Sequence, residues 1–272
     1  VPVVYGGKFL LTIHDFILID FPTLRGSTKM APLFWAKYVA YRFVLRMAIH
    51  RAKHVLVPSV YVKDRLLYHF PSVSVLRVTV TPEGPHPTEE RENAFSYKEK
   101  GGMRLDRYVL AVGSAYPHKN LEALINAFLE LKRDDTQLFV VGKKDYFMWR
   151  LEEGMEKGEV KGGLVKFLGE VEDEELASLY AGARALCLVS CEEGFGLPGI
   201  EAMHYGTPII AGDRASLPEV YQNNAYYVNP YDVEDIARVL REVFSNSTQS
   251  LAPSRSPLNK GEKVGVTGGE EG

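Results

Sequence analysis

The chain has 272 residues, 46% hydrophobic and 25% charged, the balance of an ordinary soluble globular protein. A net charge of -3 gives no electrostatic basis for binding nucleic acid, and no apolar run is long enough to span a bilayer. The length suits one large domain or two modest ones; the first residues, Val1 to Gly7, lack an initiator Met and the regions of a signal peptide, so the sequence reads as trimmed or as a fragment.

Residues 1 to about 95 form one compositional unit. Phe9 to Ile13 reads as a strand that delivers His14-Asp15 at its end. Pro32 to His54 reads as a long, partly aromatic helix. Its basic residues Lys37, Arg42, Arg46 and Arg51, with Lys53, read by default as a solvated face and alternatively as a contact for anionic lipid. Val55 to Pro58 is a short strand, Tyr61 to His69 a helix for which Ser59 is a cap, and Val75 to Thr81 a strand. These elements amount to half of an α/β domain. Pro82 to Pro87 reads as a linker, and Glu89 to Lys100 as a charged surface segment.

From Asp106 the pattern alternates strictly. Strands are expected at Tyr108 to Gly113, Gln137 to Gly142, Leu164 to Leu168, Arg184 to Val189, Pro208 to Ala211 and Ala225 to Val228. Helices are expected at Asn120 to Lys132, Tyr146 to Lys157, Glu174 to Ala183, Pro198 to Tyr205 and Val233 to Phe244, with Asn120, Asp173 and Asp232 as N-caps. Short connections between such elements imply right-handed βαβ units and a parallel sheet. The domain so defined runs from 96 to 245. The remainder, 246–272, is rich in Ser, Gly and Pro and is expected to be disordered. The two cysteines, Cys187 and Cys191, would lie about 13 Å apart on one strand, too far for a disulfide, and read as buried thiols of a cytoplasmic protein.

Ligands of parallel sheets gather at the carboxyl ends of the strands, and two loops there carry chemistry. Ser190 to Met203 is a strand–loop–helix junction with two carboxylates, Glu193 and Glu201, eight positions apart. Gly194 and Gly196 between them let backbone N–H groups approach a ligand, and the helix start suits a phosphate. Carboxylates beside it can accept hydrogen bonds from sugar hydroxyls. The second loop, Gly113 to Asn120, ends its strand on glycine and places Lys119 where an ammonium can reach a phosphate.

Glu193 to Met203 reads E-G-F-G-L-P-G-I-E-A-M, which resembles the hallmark of the retaining glycosyltransferases of family 4, the glycosyl transferases group 1 of GT-B fold. The stretch from Val112 to Leu121 is similar to the same family's phosphate corner, with His118 where the family usually has Arg. The resemblance implies an α/β protein of GT-B type, with a complete C-terminal Rossmann-like domain and a partial N-terminal one. It implies transfer of a hexose from a nucleoside-diphosphate sugar, with retention, onto a sugar or lipid-linked acceptor, without a metal or other cofactor and without an established protein nucleophile. Glu193 would contact the donor sugar and Glu201 the ribose. Gly113, Lys119, Gly194, Phe195, Gly196 and Leu197 would meet the diphosphate and sugar, and His14 would approach from the opposite wall. The expected setting is cytoplasmic, with peripheral contact at the inner face of the membrane as a further option. The alternative is a fragment that binds nucleotide-sugar and transfers nothing. Leu217 to Val220 also matches the family, and is expected to pack near the donor pocket rather than touch the ligand.

Overall fold

A computed structural model describes residues 5–22, 31–85, 107–157 and 163–245. The expected boundary near residue 95, the charged segment from Glu89 to Lys100 and the tail from 246 lie outside the described residues.

The first sheet is small and parallel, in the order β1-β2-β3, from β1 (Leu10–Thr12), β2 (His54–Val57) and β3 (Val78–Val80). Between them run α1 (Ile17–Asp20), α2 (Ala31–Arg51) and α3 (Val60–His69). Leu45 and Ile49, four residues apart near the end of α2, pack with Val55, Val57, Val62 and Leu66 in one core. The first turns of α2 leave Leu33, Trp35, Val39 and Phe43 exposed. The expected strand from Val75 begins instead as a 3-10 turn over Val75–Arg77, and α1 is an element that the sequence pattern did not mark.

The second sheet has six parallel strands in the order β6-β5-β4-β7-β8-β9. They are β4 (Tyr108–Val112), β5 (Gln137–Val141), β6 (Val165–Gly169), β7 (Ala185–Leu188), β8 (Ile209–Gly212) and β9 (Tyr226–Val228). The connecting helices are α4 (Leu121–Leu129), α5 (Tyr146–Lys157), α6 (Asp173–Gly182), α7 (Leu197–His204), α8 (Leu217–Tyr221) and α9 (Val233–Ser245). Successive strand residues serve opposite faces. Val109, Ala111, Leu138, Val140 and Cys187 pack beneath α4 and α9, while Leu110, Phe139, Leu186 and Leu188 pack beneath α6 to α8. Strands buried on both faces explain the unbroken apolar runs. The order is the doubly wound one, and the direction in which successive strands are added reverses between β4 and β7, so the crevice at their carboxyl ends is the natural ligand site.

Two of the expected caps are corrected. Asn120 has φ 58 and does not cap α4; its amide donates to the carbonyls of Val189 and Pro230 at 3.2 and 2.6 Å, stitching the two site loops together. Helix α6 begins at Asp173 itself, after Glu172. Asp232 does cap α9, accepting from the N–H groups of Glu234 and Asp235 at 3.0 and 3.2 Å. Both cysteines are buried and free.

Asp20 at the end of α1 is gripped by α3: Arg65 Nε donates at 2.9 Å, a second guanidinium nitrogen bonds the other carboxyl oxygen, and His69 Nε2 lies at 2.7 Å. Burial raises its pKa, but the bonds from Arg65 and His69 outweigh burial and hold the carboxyl below its ordinary value. A carboxyl lowered in the folded state stabilises the protein above the unfolded value of 3.8 and loses that contribution as the pH falls below it. Asp20→Ala should therefore lower stability at pH 7 by about 1.5–3 kcal/mol. In urea denaturation the gap to the parent should narrow below the ordinary carboxylate pKa.

Candidate active site

The loop after β4 leaves the sheet at Gly113, whose N–H donates to the Val141 carbonyl at 2.9 Å, and tightens into a 3-10 turn over Pro117–Lys119. The loop after β7 runs from Val189 to Gly196 into α7. They lie side by side because β4 and β7 are paired, Val109 opposite Ala185. The Cys191 N–H donates to the His118 carbonyl at 2.7 Å.

Between the loops, Lys119 Nζ donates to Glu193 Oε1 at 2.6 Å, and Ser190 Oγ donates to the same oxygen at 2.8 Å. The Glu193 side chain is 8% exposed and that of Lys119 20% exposed. Ser216 Oγ holds the Glu193 carbonyl at 3.0 Å, and the buried Tyr221 hydroxyl donates to the Gly196 carbonyl at 2.5 Å. Gly196 adopts φ 95, a left-handed conformation that glycine takes without strain, just before the first turn of α7. Leu197 and Pro198 at that helix start line the crevice, where the positive end of the helix favours an anion.

A cavity of about 560 Å³ opens over this junction. One wall is Ser114, Tyr116, His118, Lys119 and Glu193 to Pro198, which includes Gly194, Phe195, Gly196 and Leu197. The other is His14, Asp15 and Glu83 with the apolar Ile17, Leu18, Phe21 and Phe34. His14 thus faces the loop after β7 across the crevice, its Nδ1 2.6 Å from Glu83 Oε1. The Glu83 carboxylate at Nδ1 orients the ring. Gly113 sits behind the lining, its missing Cβ facing Lys119 Cε at 3.8 Å. Glu201 lies on α7 apart from the residues that line the cavity, accepting from the Tyr180 hydroxyl at 2.7 Å. Burial and the neighbouring Glu201 push the Tyr180 phenol far up, so it stays a donor.

Glu83 and the apolar Ile17, Leu18, Phe21 and Phe34 were not read from sequence as site residues. Glu83 is embedded in what looked like a linker, and α1 is too short to show a period. His118 lines the cavity at the position where the family usually has Arg. Burial and then the adjacent Lys119 hold its imidazole below the usual value, against the weaker pull of Glu193 and Asp15.

A doubly wound sheet with a buried Lys–Glu pair at its switch point, closed over by a second parallel unit, is the architecture of a GT-B glycosyltransferase. The chain belongs to the Glycosyl transferases group 1 family, whose pattern matches residues 95–260. It is 34% identical over 248 residues to the O-antigen chain mannosyltransferase RfbU of Salmonella typhimurium, covering 88% of this chain and 66% of that protein. It is 28% identical over 257 residues to the O-antigen chain mannosyltransferase B of Escherichia coli, covering 91% of this chain and 64% of that one. The chain therefore spans just under two thirds of the length of these relatives. The fold superposes on WaaG, a glycosyltransferase involved in lipopolysaccharide biosynthesis, with a TM-score of 0.69 at 18% identity, covering 88% of this chain and 66% of that one.

Lys119→Met should leave the Glu193 carboxylate buried without its cation, a loss of about 3–5 kcal/mol at neutral pH. Thermal melts of both proteins at neutral pH check this.

Proposed function

We propose that the protein transfers a mannosyl group from a nucleoside-diphosphate mannose onto a growing cell-surface saccharide, with retention of configuration. The observation that carries the reading is the Lys119–Glu193 pair at the sheet's switch point, faced by His14 across a cavity of about 560 Å³. The names of the relatives support the sugar and the polysaccharide setting. In this reading the diphosphate takes Lys119 from Glu193 and lies on the start of α7, where negative charge develops as it departs. Glu193, released from the ammonium, accepts from hydroxyls of the sugar. The sugar's anomeric carbon–oxygen bond breaks toward the diphosphate. The acceptor oxygen bonds the anomeric carbon on the same face, and its proton passes to the departing diphosphate oxygen. Lys119 and the helix start supply the counter-charge, so the proposed chemistry assigns no role to a metal or other cofactor. Glu201, held by Tyr180, is proposed for the ribose.

The apolar wall of Ile17, Leu18, Phe21 and Phe34 supports an acceptor with an apolar portion, such as a lipid-linked saccharide. Among the described residues no helix is long and apolar enough to cross a membrane. Exposed Leu33, Trp35, Val39 and Phe43 beside Lys37 and Arg42 on α2 support peripheral contact with a membrane carrying that acceptor, at its cytoplasmic face.

A thermal melt against a panel of nucleoside-diphosphate sugars tests the donor site. A rise in melting temperature with one nucleotide class, lost in Glu201→Ala, is expected. No shift with any of them would overturn the reading, and a shift unchanged in the variant would remove Glu201 from the ribose. Binding without transfer to any acceptor would favour a module that only holds the donor.

His118 gives a pH dependence. Burial and Lys119 keep it neutral without ligand below its ordinary 6.5, and an arriving diphosphate reverses that field. Donor affinity should therefore rise as the pH falls through the ordinary histidine range, and His118→Arg should flatten the slope in calorimetric titrations.

A further inference from the structure

The three residues Ser59, Val60 and Tyr61, which open α3 on the first sheet's side, each hand a hydrogen bond to the donor-loop side. Ser59 Oγ donates to the Gly194 carbonyl at 2.8 Å, while also accepting from the Val62 N–H at 3.2 Å. The N–H groups of Val60 and Tyr61 donate to the two carboxyl oxygens of Glu219, on α8, at 2.7 and 2.9 Å. The Tyr61 hydroxyl donates to Glu192 Oε1 at 2.5 Å. Burial, then the bond to Glu192, pushes the Tyr61 phenol far up, so that it stays a donor. Burial likewise raises the Glu192 carboxyl, against the pull of Tyr61 and Arg65.

These contacts bracket one residue. Glu192 and Gly194 flank Glu193, and Gly194 also meets the end of β1, where a Cβ would overlap the His14 carbonyl oxygen and come to 3.0 Å from Asp15 Cβ. At its other end α3 holds Asp20 through Arg65 and His69, and α1, which ends at Asp20, supplies Ile17 and Leu18 to the far wall. One ten-residue helix is thus bonded to both walls of the cavity. The Glu219 carboxylate also sits on the positive end of that helix, where its charge is favoured.

We propose that the start of α3 is a latch that sets the separation of the two walls, with Glu219 and Tyr61 as positioning residues for Glu193 and His14. This rests on the transferase reading above. The donor's phosphates meet groups of one wall only, whereas transfer needs both. Weakening the latch should spare nucleotide binding and slow turnover.

The test uses the full-length protein, with Tyr61→Phe and Glu219→Gln made singly and together. Spin labels at Leu76→Cys and Trp149→Cys, one exposed site on each side of the crevice, report the separation. The parent should give a single narrow distance distribution. Each latch variant should lengthen or broaden it, lower kcat about tenfold, as removal of one hydrogen bond to a charged group allows, and leave the affinity for nucleoside diphosphate within about twofold. An unchanged distance distribution with unchanged kcat overturns the latch. So does a parallel loss of nucleotide affinity, kcat and melting temperature, which would mean that these bonds merely hold up the fold. If the parent transfers no sugar from any donor, the transferase reading fails by itself, and the distance distributions still decide the latch.

Discussion

The ion pair between Lys119 and Glu193 is the interaction on which the rest depends. It joins the loop after β4 to the loop after β7, the two strands between which the winding of the sheet reverses. A carboxylate as buried as Glu193 would be strongly disfavoured without a cation and a further donor, and Lys119 and Ser190 supply them. Everything around the pair serves to keep the loops in register. The Cys191 N–H on the His118 carbonyl, the Asn120 amide on Val189 and Pro230, and the Tyr221 hydroxyl on Gly196 all bond backbone carbonyls and so fix the path of the segment they hold. The site is therefore held in shape by groups that need not touch a ligand.

The two walls differ in kind. The wall built from the loops after β4 and β7 carries the Lys119–Glu193 pair and is tied down by buried hydroxyls, as suits a charged ligand that must be met by fixed dipoles. The facing wall combines His14 and Glu83 with four apolar side chains. Within it α1 is a single turn whose position is set by one carboxylate shared between Arg65 and His69. The polar wall is rigid because its sheet is buried on both faces; the apolar wall takes its placement from α3.

How much of this could be read from the sequence follows from the range of each signal. The six strands of the larger sheet were legible because burial on both faces writes itself as short apolar runs of Val, Leu and Ile. Lys119, Glu193 and the glycine loop were legible because strand, loop and helix start are contiguous in the chain. Glu219 could be placed only near the pocket, since its partners on Val60 and Tyr61 are remote in sequence. Glu83 was hidden for the same reason, its histidine lying in a different element. Asn120 stood at a position where a short polar residue before a helix reads as a cap. The choice between cap and cross-loop bond was made by carbonyls of Val189 and Pro230 that no local pattern announces. Glu201 was legible as a carboxylate on the first turns of α7, but its distance from the cavity lining was not.

The winding of the larger sheet also dictates an order of assembly. Its central pairing joins Val109 to Ala185, and β5 and β6 are added on the other side of β4 from intervening chain. A nascent polypeptide can thus complete β4, β5 and β6 while the opposite edge of β4, with Val109 and Leu110, still lacks its neighbour. That edge is apolar and unprotected until β7 emerges and docks, which makes the half-built sheet the stage most open to wrong pairing during synthesis. The polar crevice, which needs loops from both β4 and β7, comes into being only at the moment that this hazard is removed.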